Sequence, residues 1–137
     1  MGLREIIREV DLPHPPDRVW TAFASSDELA AWLMPNDFRP EIGTDFTFRT
    51  DPAPGFDGIV HCEVLEFDPP RLWQVSWKAG KVDTVLTVTL APAPGGTRLR
   101  LSHAGFGAGT MLPRVILGMG WKRLLRQKLV DLLREEG

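Results

Sequence analysis

The order of secondary-structure signals constrains this chain more than any single motif. Residues 3–11 read as a strand, because Arg4, Ile6, Arg8 and Val10 alternate with Glu5, Ile7, Glu9 and Asp11. Pro13, Pro15 and Pro16 end it, and proline followed by Asp17 suits the first turn of a helix over 15–24, with Val19, Trp20 and Phe23 facing inward. Ser25 and Glu28 have the spacing of a capping box and open a second short helix to Leu33. From Phe38 to His103 the period changes to two. Strands are expected around Phe46 and Phe48, over 59–67, over 72–78 (Trp73, Val75 and Trp77 on one face), over 84–90 (Leu86, Val88, Leu90) and over 97–103 (Leu99, Leu101, His103). Short turns between them predict antiparallel hairpins, and one apolar face per strand predicts a sheet covered on one side. A single long helix over 113–134 follows, with an apolar stripe of Val115/Ile116, Met119, Leu124/Leu125, Leu129 and Leu132/Leu133. The expected class is therefore α+β in the order β-α-α-β(5-6)-α, a bent sheet closing around the last helix with room for a guest between them.

Composition narrows the function classes. A chain of 137 residues suits one domain, 1–137. A formal net charge of −2 gives no electrostatic reason to expect nucleic acid. No apolar run approaches the roughly 18 residues of a membrane span. The first ten residues lack the apolar block of a signal peptide, and Ile6 stands where a myristoylation site needs Ser or Thr. One cysteine, Cys62, forms no internal disulfide and suits a reducing compartment, so the expected location is cytoplasmic.

The stretch Pro13-His14-Pro15-Pro16-Asp17-Arg18-Val19-Trp20-Thr21-Ala22-Phe23, with Leu29 to Trp32, resembles the opening of the START-like (Bet v-like, polyketide cyclase) superfamily. Glu41-Ile42-Gly43, Phe46-Thr47-Phe48, Val64 to Leu72 with Ser76-Trp77, Gly96-Thr97-Arg98-Leu99, His103-Ala104-Gly105-Phe106 and Gly120-Trp121 resemble its branch related to activators of the ninety-kilodalton heat-shock protein's ATPase. The resemblance runs from about residue 4 to 133. Two departures stand out: Thr44 occupies a position where the branch usually has a second glycine, and 107–119 is richer in Gly and apolar residues than is common there. The resemblance implies a helix-grip fold with a cavity between sheet and final helix. Members bind lipophilic ligands, cyclise polyketides or stimulate a chaperone ATPase, and fold alone does not choose among these.

Large rings dominate the candidate lining of such a cavity: Trp32, Phe38, Phe48, Trp73, Trp77, Phe106 and Trp121, with Val75, Leu86, Val88, Leu101, His103 and Met119. An imidazole among aliphatics needs a hydrogen-bond partner, and His103 is the candidate polar anchor for a guest, or a base in a cyclase or dehydratase. No catalytic residue is assigned. His61 and Cys62 are neighbours on a strand and so point to opposite faces, which weakens a nucleophile–base pair. His14, His61, Cys62 and His103 lack metal-ligand spacing, and Gly105-Phe106-Gly107-Ala108-Gly109 lacks the glycine placement of a dinucleotide loop. Those glycines read instead as a hinge at the cavity mouth. Glu63, Glu66, Asp68 and the basic residues of the last helix read as solvated faces, and Glu135 and Glu136 predict a frayed final turn. No cofactor and no metal is expected. The leading expectation is a lipophilic small-molecule binder. A chaperone-interaction protein and a cyclase-type enzyme stay open, as does a chaperone or a second copy as partner. The eukaryotic co-chaperone carries an additional N-terminal domain, for which 137 residues leave no space.

Overall fold

The protein is described by a computed structural model over residues 5–107 and 109–136, the side chains of Leu112, Glu135 and Glu136 excepted. Six strands form one antiparallel sheet in the order β1-β6-β5-β4-β3-β2. They are β1 (Glu5–Leu12), β2 (Asp45–Arg49), β3 (Ile59–Asp68), β4 (Leu72–Ala79), β5 (Val82–Ala93) and β6 (Gly96–Ala104). Each hairpin of the run 59–104 pairs with its sequence neighbour, as short turns dictate, and β1 adds to the far edge through Ile6↔His103 and Leu12↔Thr97. Alternation holds along β4 and β6. On β4, Trp73, Val75 and Trp77 are buried while Gln74 and Ser76 are only half-buried and Lys78 is exposed. Register slips between Val64 and Glu66 of β3, and such a bulge bends and twists the strand.

Helix α1 (Pro16–Trp20) runs through a 3₁₀ turn (Thr21–Phe23) toward α2 (Ser26–Trp32). The Glu28 N–H donates to Ser25 Oγ at 3.2 Å, so the expected cap forms. Trp32 Nε1 donates to the Ala22 carbonyl at 2.9 Å and locks the two short helices together. The C-terminal helix comprises α3 (Met111–Arg123), a π-helical turn (Leu124–Lys128) and α4 (Leu129–Glu136). Trp121, Leu125, Leu129, Leu132 and Leu133 are buried in the common core. Arg18 Nη2 donates to the Leu133 carbonyl at 2.8 Å, tying α1 to this helix.

Two expectations change. The strands over 84–90 and 97–103 each extend further, to 82–93 and 96–104. The anticipated stripe of the last helix is out of phase in its first half: Val115, Ile116 and Met119 are exposed, whereas Gly118 and Trp121 are buried. The backbone is helical through Glu136. Leu3, Arg4 and Ala108 of the expected strand and hinge lie outside the described residues.

Candidate functional site

The rings project from β2, β4, α1, α2, the C-terminal helix and two loops into one interior. Trp73 touches Phe23 (5.6 Å between centroids) and Phe38 (6.0 Å). Phe38 meets Phe46 and Phe67. Phe46 meets Phe48, which meets Trp77. Trp77 meets His103 and Trp121 at 5.2 and 5.6 Å. Phe106 closes the row over His103 at 4.9 Å. Trp32, Phe38, Phe48, Trp73, Val75, Trp77, Leu86, Val88, Leu101, His103, Phe106 and Trp121 are all buried. Met119 is not among them: it is 68% exposed, because the inward period of α3 passes through Gly118 and Trp121.

His103 sits at the end of a hydrogen-bond chain. Trp121 Nε1 can only donate, and it donates to His103 Nδ1 at 3.1 Å. The ring proton of a neutral imidazole therefore lies on Nε2, 2.6 Å from Thr84 Oγ1. That hydroxyl passes its own hydrogen to the Trp77 carbonyl at 3.2 Å. Both ring nitrogens are occupied within the protein, so His103 is not available as the anchor expected for a guest. Burial holds its pKa down at about 3, which also removes it from acid–base work near neutrality.

The available polar group is elsewhere. Trp73 Nε1–H is buried with no acceptor among the described residues. A buried donor left unpaired is costly, and a ligand oxygen is one way to relieve it. Residue patterning places Trp73 inside but cannot show whether its indole proton finds a partner.

His61 and Cys62 face opposite sides of β3, one exposed and one buried. Burial pushes the Cys62 thiol up to about 12, helped by the Asp37 carboxylate. That carboxylate is itself lowered, chiefly because it accepts the Thr47 backbone N–H at 2.6 Å. Among the described residues no group of three His, Cys, Asp or Glu side chains is placed to hold a metal. None of the helices there is long and apolar enough to cross a membrane.

Depressions open on the surface among the described residues. One of about 410 Å³ is lined by Asp45, Thr47, His61, Glu63, Ser76 and Lys78, together with Asp37, Phe46 and Cys62. A second of about 370 Å³ lies between β1 and α3. The expected hinge has left-handed backbone at Gly105 (φ +106°) and Gly109 (φ +82°), but Phe106 between them is pinned in the core. The Gly107 carbonyl accepts the Thr110 N–H at 3.2 Å.

A family model described as Activator of Hsp90 ATPase homolog 1-like protein matches residues 13–134. Among solved structures, protein MLL2253 from Mesorhizobium loti is similar at 31% identity and a TM-score of 0.90, over 98% of this chain and 99% of that one. CalU16 from Micromonospora echinospora is similar at 23% identity and a TM-score of 0.73, over 96% of this chain and 82% of that one. The Aha1 dimer from Colwellia psychrerythraea is similar at 17% identity and 0.79, over 97% and 98%. No protein of curated function matches in sequence.

Proposed function

The chain belongs to the family of Activator of Hsp90 ATPase homolog 1-like proteins, and from that premise we propose that it is a single START-like domain binding a lipophilic small molecule between sheet and final helix. The observation that carries the reading is the buried, unpartnered Trp73 Nε1–H among apolar rings. It favours a guest that presents one hydrogen-bond acceptor, such as a ketone, on a rigid apolar body, with Phe23 and Phe38 supplying ring contact. The reading assigns no chemistry to His103, whose two ring nitrogens are engaged, or to Cys62, whose thiol burial pushes up to about 12.

The test is a titration of wild type and Trp73→Phe with steroid and aromatic polyketide ketones, followed by thermal shift and tryptophan fluorescence. Trp73→Phe keeps a ring and removes the donor. A ketone that stabilises the wild type and binds the variant about tenfold more weakly supports the reading, that being the loss of about one hydrogen bond. Equal binding by both proteins, or no stabilising ketone, overturns it.

A second reading, stimulation of a chaperone ATPase, is favoured by the family match over residues 13–134. A pull-down with an ATPase assay tests it: no capture and no change in rate would remove it.

A further inference from the structure

We propose that the groove between β1 and α3 binds an anionic amphiphile, a carboxylate on an alkyl chain, with the carboxylate held by Arg8 and Arg114. The groove is about 370 Å³ and is lined by Glu5, Ile6, Arg8, Arg114, Val115, Gly118 and Met119, within the ordinary range of ligand pockets, roughly 300–1,000 Å³. It is distinct from the ring-lined interior, and the proposal does not rest on ligand binding there.

Three observations point to an anion. Arg8 spends Nη1 on the Ile7 carbonyl at 2.9 Å and Nη2 on the Gly118 carbonyl at 3.2 Å, and meets no carboxylate among the described residues. Among the described residues the Arg114 guanidinium donates only to the Met111 sulfur at 3.7 Å, a weak acceptor. The Nε–H of both guanidinium groups is buried without an acceptor among the described residues. Guanidinium forks fit the two oxygens of a carboxylate, and charge-assisted bonds of this kind are the strong ones. The acid lining the groove, Glu5, has its Oε1 receiving the Ser102 hydroxyl at 2.6 Å, so two cations face one anion.

The walls point to the alkyl part. Val115 and Met119 are exposed along the groove, and Met111 and Ile116 extend the apolar surface on α3. Gly118 lets the guanidinium lie close over the helix. A Cβ there would stand 3.0 Å from Arg8 Nη2, so the end of the arginine side chain would have to give by a few tenths of an ångström.

The experiment uses octanoate, octan-1-ol and acetate as probes, with calorimetry for affinity and amide chemical shifts for position. Octanoate is expected to bind the wild type at least tenfold more tightly than either other probe, shifting the Val115 and Gly118 amides. Arg114→Gln is expected to weaken it at least tenfold. Among the described residues this arginine makes no strong side-chain bond, so the variant is expected to fold, and circular dichroism checks that. Trp73→Phe is expected to leave octanoate binding unchanged, which separates this site from the interior one. Octan-1-ol or acetate binding as tightly as octanoate overturns the proposal, as does unchanged affinity in Arg114→Gln or no binding at all. Retention on phosphatidylserine vesicles that octanoate fails to displace also overturns it, because the groove would then read a lipid surface.

Discussion

His103 is neutral and fully engaged because Trp121 fills Nδ1 and Thr84 receives the proton of Nε2. Charging it would turn Nδ1 into a donor facing another donor, in a site already desolvated. Its folded pKa of about 3 lies below the unfolded 6.5, so between those values the unfolded chain binds the extra proton. Stability is therefore full above pH 6.5 and falls as pH drops toward 3, by up to about 1.4 kcal/mol per unit. Urea melts at pH 7 and pH 5 check this, and a stability flat across that interval would contradict it. His103→Phe should fold less stably at pH 7 by roughly 1–3 kcal/mol, because the Trp121 N–H is left unpaired, yet show a shallower loss on acidification. Cys62 gives a second residue-scale prediction. With its thiol near 12 and buried, it should react with a disulfide reagent at pH 8 only as fast as the chain opens, and immediate stoichiometric labelling would refute that. Alternation along β6 put His103 on the inner face with Leu99 and Leu101. The partner that decides its chemistry, Trp121, lies across a loop, and no local pattern reveals such a contact.

The C-terminal helix shows where element-level reading succeeds and where it slips. Its existence and extent were legible from a long apolar-rich run. The phase of its first half was not, because Val115, Ile116 and Met119 are as apolar as the residues that do turn inward. Tracing a 3.6-residue period back from Leu125 gives Trp121 and Gly118, and the glycine conceals the inner face from any hydrophobicity count. The π turn then adds a complication, since the Leu129 N–H bonds to the Leu124 carbonyl five residues earlier and advances the register by one. The two halves should respond differently to substitution. Leu129→Ala, at a fully buried site, is expected to cost about 2–5 kcal/mol. Ile116→Gln, at an exposed one, is expected to change stability by no more than about 0.5 kcal/mol. Denaturant unfolding of both variants decides, and a large loss in Ile116→Gln would mean that the exposed stripe is covered in solution.

At the scale of the molecule, sheet order across β3 to β6 follows from hairpin turns alone, while placing β1 beside β6 depends on a long-range pairing that no local pattern in the sequence specifies. The interior is a further case. Aromatic residues announced a lined hollow, but ring volume read from sequence does not say whether rings stand apart or touch. Here Phe38, Phe46, Phe48, Trp77 and His103 form a row with successive contacts of roughly van der Waals character, from 5.2 to 5.6 Å between centroids. A guest reaching Trp73 must therefore displace side chains that already pack on one another, so the protein has to open before it can bind. That ordering predicts kinetics. In stopped-flow fluorescence, the observed rate for a ketone guest should level off with rising concentration, at the rate of opening. Octanoate, arriving at a groove already formed on the surface, should show a rate that rises linearly over the same range. A linear dependence for the ketone guest would mean that the rings part without a slow step, and that the interior is open in solution.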